Sequence, residues 1–481
     1  MAILFYNTLT REKEVFTPLK KGRVGFYACG PTVYWNAHLG NFRTYLFEDL
    51  LRRILEYNGY RVKFVMNFTD VGHLTSDADT GEDKIEAAAK KEGKTARQIA
   101  NFYIAAFKKD AAALNILPPT IYARATDHIK EQITLVKILE KNGFTYKTSD
   151  GVYFDTSKIS DYGRLAKLDL EGQKSGARVP VVSDKKNPHD FALWKLTPAG
   201  VKRLQEWDSS WGKGFPGWHL ECSAMSQKYL GRQFDIHAGA IDLIPVHHTN
   251  EIAQSQAAFG QTPARFWLHG EFLLLDNNKI SKSAGDNITV KKITEKFNPL
   301  AFRYLTLTAH YRSPLNLTWE SLEGAQAALN RLKQTVRDLK KSSGAKIWLL
   351  KLASSFGVGG KKTSIAVKNC RKYQESFLEA INDDLDLPRA LALIWEMIGD
   401  PALPPAIKLN LLLKFDRVFG LGLEKISPLE PPAKIKKFAE QREQLRQEKK
   451  WAEADKLRIE MKKAGWLIED TPQGPQLKSK N

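Results

Sequence analysis

Two short motifs in this sequence could do chemistry on a nucleotide. The first, Pro31-Thr-Val-Tyr-Trp-Asn-Ala-His38-Leu39-Gly40-Asn41, falls where an apolar strand gives way to a helix. A helix N-terminus at the C-terminal edge of a parallel sheet offers backbone N–H groups and a positive dipole end to an anion. Gly40 lets a nucleotide approach the backbone, and His38 can donate a hydrogen bond to phosphate oxygen. The second motif, Lys279-Ile280-Ser281-Lys282-Ser283, follows the strand-like Glu271-Phe-Leu-Leu-Leu-Asp. Two lysines three residues apart, flanked by small hydroxyls, suit a loop that closes over a triphosphate and neutralises charge developing in its transition state. Alone, each motif has an ordinary reading, a chance tetrapeptide or a solvated Lys/Ser loop. Together, in this order on one plausible sheet, they point to nucleotide chemistry.

The elements that must position these motifs are legible around them. Val24-Gly-Phe-Tyr-Ala-Cys-Gly reads as a short buried strand, Arg43-Thr-Tyr-Leu-Phe-Glu-Asp-Leu-Leu-Arg-Arg-Ile-Leu as a helix, and Tyr60-Arg-Val-Lys-Phe-Val-Met-Asn-Phe-Thr-Asp as a second strand. Strand, helix and strand with a tight first crossover open a Rossmann-like parallel α/β sheet. The spacing places the two halves of this catalytic core at 1–122 and 206–265, around an insertion at 123–205. A lysine-loop region at 266–320, a helical bundle at 321–425 and a small C-terminal region at 426–481 complete the expected order. Helical periodicity dominates from Ser321 onward, and a single last helix is expected from about Lys434 to Ala464.

Composition bounds the class. With 43% hydrophobic and 26% charged residues over 481 positions, the chain is globular, with room for about three domains of roughly 150 residues. Only Cys29, Cys222 and Cys370 occur, so no disulfide framework holds it and a reducing cytoplasm is the expected home. The N-terminus lacks a signal-peptide pattern, and no apolar run reaches the ~20 residues of a membrane span. The net charge is +19, of which Arg331 to Lys372 contribute +11, from 12 Lys/Arg against the single acid Asp338. Such a segment suits a polyphosphate partner such as nucleic acid. A solvated linker is the other reading, favoured by Ser342-Ser-Gly and Gly357-Val-Gly-Gly. Cys370, inside that stretch, has no assignable role.

On these residues the chain resembles the class I aminoacyl-tRNA synthetases, whose signatures are His-Ile-Gly-His and Lys-Met-Ser-Lys-Ser, and among them the cysteinyl subfamily. The likeness runs through Tyr27-Ala-Cys-Gly-Pro-Thr-Val-Tyr, Asn67-Phe-Thr-Asp, Asn187-Pro-His-Asp-Phe-Ala-Leu-Trp-Lys, Gly217-Trp-His-Leu-Glu-Cys-Ser-Ala-Met-Ser, Phe234-Asp-Ile-His, His247-His-Thr-Asn-Glu-Ile-Ala-Gln-Ser and His310-Tyr-Arg-Ser. The resemblance implies a zinc set of Cys29, Cys222, His247 and Glu251. Its chemistry agrees: His247 and Glu251 at i, i+4 share a helix face, and two thiolates, an imidazole and a carboxylate suit tetrahedral zinc. The choice of His247 over its neighbour His248, with His237 also nearby, comes from the resemblance.

The same resemblance implies that Thr69, Trp218 and Asp242 hold the substrate cysteine, with Thr69 and Asp242 meeting either its carboxylate or its ammonium. It also implies that Arg446, Trp451 and Asp455 read an anticodon. The implied activity is ligation of L-cysteine to tRNA(Cys) through ATP and Mg2+, by a monomer with one Zn2+, without membrane attachment. His38 and Asn41, with Lys279 and Lys282, are then the catalytic set, and Gly40, His38 and Lys282 contact ATP. Departures from the pattern are Asn41 for the second histidine, Ile280 for methionine, and Ala238, Ala240 and Ile241 where glycines and serine are usual. A ligase passing cysteine to an amino sugar, and an RNA-binding relative without catalysis, are the rival readings. The first should lack Arg446, Trp451 and Asp455; the second should lose zinc ligands or the lysine loop.

Overall fold

Five strands, β1 (Arg23–Ala28), β2 (Arg61–Phe68), β3 (Ile121–Arg124), β4 (Phe234–Ala240) and β5 (Ala264–Gly270), pair in the order β5-β4-β1-β2-β3. Every pairing is parallel. β1 and β2 are near-continuous apolar runs because helices cover both faces of a parallel sheet, and Phe26 stacks on its register partner Phe64 at 4.3 Å. The computed structural model describes residues 1–71, 83–168, 184–279, 288–343, 361–427, 431–471 and 474–479. They fall into two units, one of Met1–Gln326, Cys370–Asp400 and Lys414–Leu421, the other of Ala327–Asn369, Pro401–Leu413 and Gly422–Asn481.

In the first unit, α1 (Leu39–Tyr57) crosses from β1 to β2. His38 caps it: its Nδ1 accepts the Asn41 N–H at 3.3 Å while Asn41 Oδ1 accepts the His38 N–H at 3.1 Å, a reciprocal capping box. Between β3 and β4 the chain builds a separate antiparallel sheet of Thr145–Thr148, Gly151–Phe154, Phe191–Leu196 and Gly214–Pro216. The helix Ile129–Lys141 packs its apolar face there, in one core with Phe154, Phe191 and Trp194. Two further helices, α2 (Trp218–Leu230) and α3 (Thr249–Phe259), flank β4.

The hairpin Leu273–Leu275 and Asn278–Lys279 turns through Asp276 and Asn277, both left-handed (φ 46° and 65°), a conformation these two residue types tolerate. Helices Lys361–Asn382, Leu387–Gly399 and Pro405–Phe419 follow, with Phe377 stacked on Phe415 at 3.9 Å. Asp384 ties the turn after the first of them to Tyr6 and to the segment of Tyr311 and Arg312. Its carboxylate accepts from Tyr6 N, Tyr311 Oη and Arg312 Nε at 2.7 to 2.9 Å.

In the second unit, Ala433–Gln447 and Trp451–Lys463 form a helical hairpin followed by the antiparallel strands Trp466–Thr471 and Gly474–Ser479. The single helix expected from Lys434 to Ala464 is therefore two. Lys449 takes φ 61° between them, and the core of Ile435, Ala439, Met461, Trp466 and Ile468 closes the hairpin.

Asp49, fully buried on α1, receives Arg303 Nη2 at 2.5 Å, Arg53 Nε at 2.7 Å and Leu117 N at 2.8 Å. Burial raises its carboxyl pKa, but the charges of Arg303 and Arg53 outweigh burial and hold it below the ordinary 3.8. A depressed acid stabilises the fold above the unfolded value of ~3.9, and that stability is lost as pH falls through the folded value. Asp49→Ala should cost about 3–5 kcal/mol at pH 7, because two guanidinium groups lose their buried partner. Asp49→Asn should approach the wild type as pH drops below about 4. Thermal unfolding across pH checks both, and equal melting temperatures at pH 7 would refute the role of the pair.

Candidate active site and metal centre

The sheet order reverses between β1 and β4, so both strands deliver their C-terminal ends to one crevice, the usual ligand position of an open parallel sheet. Cys29 and Gly30 follow β1 directly. Gly30 is required there: a Cβ would lie 1.8 Å from the Asn67 carbonyl oxygen at the end of β2. The Gly30 N–H instead donates to Asn67 Oδ1 at 2.8 Å. On the other side of the crevice, α2 carries Cys222, a π-helical turn over Ile244–His248 carries His247, and the first turn of α3 carries Glu251.

These four side chains converge. Cys29 Sγ lies 3.9 Å from Cys222 Sγ and 3.9 Å from Glu251 Oε1; His247 Nε2 lies 3.4 Å from Cys222 Sγ and 3.1 Å from Glu251 Oε1. A tetrahedral ion with bonds of ~2.3 Å to sulfur and ~2.05 Å to nitrogen and oxygen would separate its sulfurs by about 3.8 Å and nitrogen from oxygen by about 3.3 Å. The donor set therefore fits Zn2+ in both chemistry and spacing. A second group, Cys29, His237, His248 and Glu251, shares two of these residues. Its histidines are wholly buried, whereas Cys29, Cys222 and His247 line an open cavity. His237 Nε2 meets Glu251 Oε2 at 3.0 Å and His248 Nε2 meets Cys29 Sγ at 3.3 Å, as outer partners that orient ligands.

Further imidazoles fix these in turn. His219 Nδ1 pairs with His247 Nδ1 at 3.0 Å, which leaves His247 Nε2 for the cluster. His248 Nδ1 pairs with His269 Nε2 at 2.7 Å, and His269 Nδ1 with Thr8 Oγ1 at 2.8 Å. Burial and neighbouring imidazoles push His248 and His269 well below their ordinary 6.5, keeping both neutral. Cys222 falls to about 6 despite burial, through the Cys29 hydrogen bond and His247, while burial and Cys222 push Cys29 up.

The cavity holds about 170 Å³. Beyond the three cluster residues, its walls include Asn41, Thr44, Tyr45, Asn67, Thr69, Trp218 and Asp242. Trp218 lies with its ring centroid 4.5 Å from that of His247. Thr69, Trp218, Asp242 and Asn41, expected from separate stretches of sequence, thus share one wall system. Ala240 also faces it, and a Cβ at Gly239 would press within 2.9 Å of His248, so the backbone here is close to the cluster. His38 and Gly40 sit at the start of α1. With Nδ1 accepting from Asn41, neutral His38 carries its ring proton on Nε2 and donates from there.

Lys282 lies outside the described residues, and Lys279 ends its hairpin strand. At the head of α1, Leu39 N donates to Ile288 O at 2.9 Å and His38 bridges Thr289. Residues missed from sequence are Glu221, His219, His269 and Thr8. His219 lies one helical turn before Cys222, a spacing that could have flagged it.

In the second unit, Trp451 is 57% exposed and Asp455 stands one turn further along its helix, also exposed. Arg446 pairs with Asp470, which Arg442 grips at 2.8 and 3.0 Å. Arg442 first, then Arg446, holds the Asp470 carboxyl down to about 2. Cys370 is half-buried, 3.6 Å from Gln374 Nε2.

A family described as tRNA synthetases class I (C) catalytic domain matches residues 15–327. The fold is similar to that of Mycobacterium tuberculosis methionyl-tRNA synthetase in complex with methionyl-adenylate, with a TM-score of 0.58 at 14% identity over 82% of this chain and 88% of that one. Fold and matched domain define a class I aminoacyl-tRNA synthetase. Among curated proteins, the chain is 49% identical to the cysteine–tRNA ligase 1 of Burkholderia lata over 99% of its length and 97% of that protein's. It is 42% identical to the cysteine–tRNA ligases of Treponema denticola and Thermococcus gammatolerans, each over 98% of both chains. The chain belongs to the cysteine–tRNA ligase family.

Cys222→Ala and His247→Ala should each purify with roughly a tenth of the wild-type metal or less, because ligands are lost. His237→Ala should keep the metal at about 10–100-fold weaker affinity, the usual cost of losing an outer partner. Elemental analysis and chelator competition measure both, and a His237→Ala protein as depleted as Cys222→Ala would move the site to the second histidine pair.

Proposed function

We propose that this chain activates L-cysteine with ATP to cysteinyl-adenylate and transfers cysteine to the 3′ end of tRNA(Cys), as a cytoplasmic monomer holding one Zn2+. The observation that carries the reading is the shared cavity, in which Cys29, Cys222 and His247 stand against Thr69, Trp218, Asp242 and Asn41. The cysteine carboxylate attacks the α-phosphorus of ATP and pyrophosphate leaves; the terminal ribose hydroxyl of tRNA then attacks the adenylate carbonyl and AMP leaves. Neither step needs a protein nucleophile. His38 and Asn41, at the head of α1, hold phosphate oxygens, Gly40 lets the nucleotide close on the backbone, and Lys279 and Lys282 neutralise the leaving pyrophosphate with Mg2+. Cys29, Cys222, His247 and Glu251 would hold Zn2+, which would supply a bond that a thiolate makes and a protonated serine hydroxyl does not. Trp218 walls the side chain, and discrimination by a bond absent from the competitor makes editing unnecessary.

For tRNA, exposed Trp451 offers a ring for an unstacked anticodon base, with Asp455 and Arg446 reading its edges. An acceptor other than tRNA is disfavoured by the presence of these three residues.

Purified protein should catalyse cysteine-dependent ATP–pyrophosphate exchange that serine neither supports nor inhibits. Lys282→Ala should lower it about 100- to 1,000-fold, the cost of losing a transition-state donor. Trp451→Ala should leave exchange intact and raise the KM for tRNA about 5- to 100-fold, the worth of one stacked base. Absence of exchange in folded, zinc-loaded wild type would overturn the adenylation step.

A further inference from the structure

Arg43 stands one turn into α1 and is 4% exposed. Its guanidinium donates to three backbone carbonyls: Nε to Glu271 O at 3.2 Å, and Nη2 to Ser313 O at 2.7 Å and His310 O at 3.3 Å. Burial pulls its pKa down to about 10, against the raising effect of the Glu271 charge. A cation taken this far out of water is costly unless its donors are used, and an apolar side chain of similar volume would fill the space without that cost. What the guanidinium supplies instead is a rigid fork, able to join segments that are far apart in sequence.

The three carbonyls belong to the root of one small sheet. Glu271 leads into the strand Leu273–Leu275, and His310 and Ser313 lead into the strand Leu315–Leu317 beside it. The two strands pair in parallel, Leu273 with Leu315. Glu271 N to Tyr311 O at 2.8 Å and Leu315 N to Phe272 O at 3.1 Å join their approaches. On its other edge Leu273–Leu275 forms the hairpin that ends in Lys279, with Leu274 opposite Lys279. Phe47, one turn after Arg43 on the same face of α1, stacks flat on Tyr311 with centroids 4.4 Å apart. Gly270 gives that ring its room, since a Cβ there would lie 3.2 Å from Phe47 Cδ1. Two side chains of α1 thus grip the root of the hairpin, one through hydrogen bonds and one through a ring face.

We propose that Arg43 is a positioning residue for adenylation, which sets the hairpin ending in Lys279 against the head of α1 so that Lys279 and the turn of His38 and Asn41 meet one polyphosphate. The inference rests on the adenylation reading above and adds to it a residue that touches neither ATP nor cysteine. Arg43 is outside the set of residues that line the cavity with Thr69, Trp218 and Asp242, so its replacement leaves the amino-acid contacts in place.

The test is cysteine-dependent ATP–pyrophosphate exchange by the zinc-loaded full-length protein, with cysteine affinity measured by calorimetry and metal content by elemental analysis. Arg43→Met, which keeps the stem and removes the fork, should lower kcat about 100-fold, the cost of a small misplacement, while cysteine affinity and zinc content stay within about twofold of wild type. Arg43→Lys keeps the charge but cannot span three carbonyls, and it should lose about 10-fold or more; Arg43→Gln should do the same. These two decide the matter if Arg43→Met fails to fold. In a chain that already carries Lys279→Ala, the same Arg43 substitutions should cost roughly a tenth or less of the factor they cost with Lys279 present, because residues that act as a unit are not additive. Losses that multiply in full, a wild-type kcat in Arg43→Lys, or a rate that falls only in step with lost zinc or cysteine affinity each overturn the role. Wild type that binds zinc and cysteine but shows no exchange refutes the adenylation reading itself, a different failure from wild-type exchange that the Arg43 variants retain.

Discussion

The parallel pairing of β1 with β4 is the constraint on which the site depends. Cys29 leaves the end of β1, and Cys222, His247 and Glu251 flank β4, roughly two hundred residues later in the chain. Only the reversal of strand order at this seam brings the two ends side by side. The approach must also be close. Gly30 admits the Asn67 carbonyl where any side chain would collide, and Gly239 admits His248 on the opposite wall. Each glycine holds a backbone against a residue that belongs to the cluster or to the cavity.

Around that seam, the buried polar groups form two chains with different work. One runs from Thr8 through His269 and His248 to Cys29, joining neutral imidazoles to a sulfur. The other runs from Gly30 through Asn67 and Thr69 to Glu221. Both lie in a water-poor interior, where an unpaired polar group is expensive and a paired one is held in a single geometry. The first ends at a member of the metal-capable cluster; the second lies behind the cavity wall at Thr69. Asp49, with Arg303 and Arg53, belongs to neither: it secures α1 to the helix Pro299–Leu307, which carries Arg303.

Much of this was legible in the sequence for a physical reason. Strands β1 and β2 are covered on both faces and therefore read as apolar runs, and α1 carries helical periodicity, so the parallel core followed from pattern. The metal set and the cysteine-pocket residues came from resemblance, and the cavity gathers Asn41, Thr69, Trp218 and Asp242 from separate stretches of the chain. What escaped were residues whose partners depend on sheet order. Glu221 and His269 each stand in sequence far from Thr69 and His248 or on a separate element, and nothing in their own neighbourhood names those partners. The break at Lys449 escaped for a related reason. No glycine or proline marks it, since the hairpin is closed by Met461 and Trp466 packing back on Ile435.

Asn41 illustrates how a departure from a family pattern is absorbed. Read as a sequence, the change from histidine removes a group able to carry positive charge beside phosphate. In the fold, Asn41 Oδ1 caps the His38 N–H, and its own N–H engages His38 Nδ1. The second bond settles the tautomer: a neutral ring that accepts at Nδ1 bears its proton at Nε2 and donates there. That second bond comes from the backbone of residue 41; what the asparagine side chain adds is the Oδ1 that accepts the His38 N–H. The same short segment pairs with Ile288 and Thr289 through backbone bonds that do not depend on whether residue 41 is histidine or asparagine.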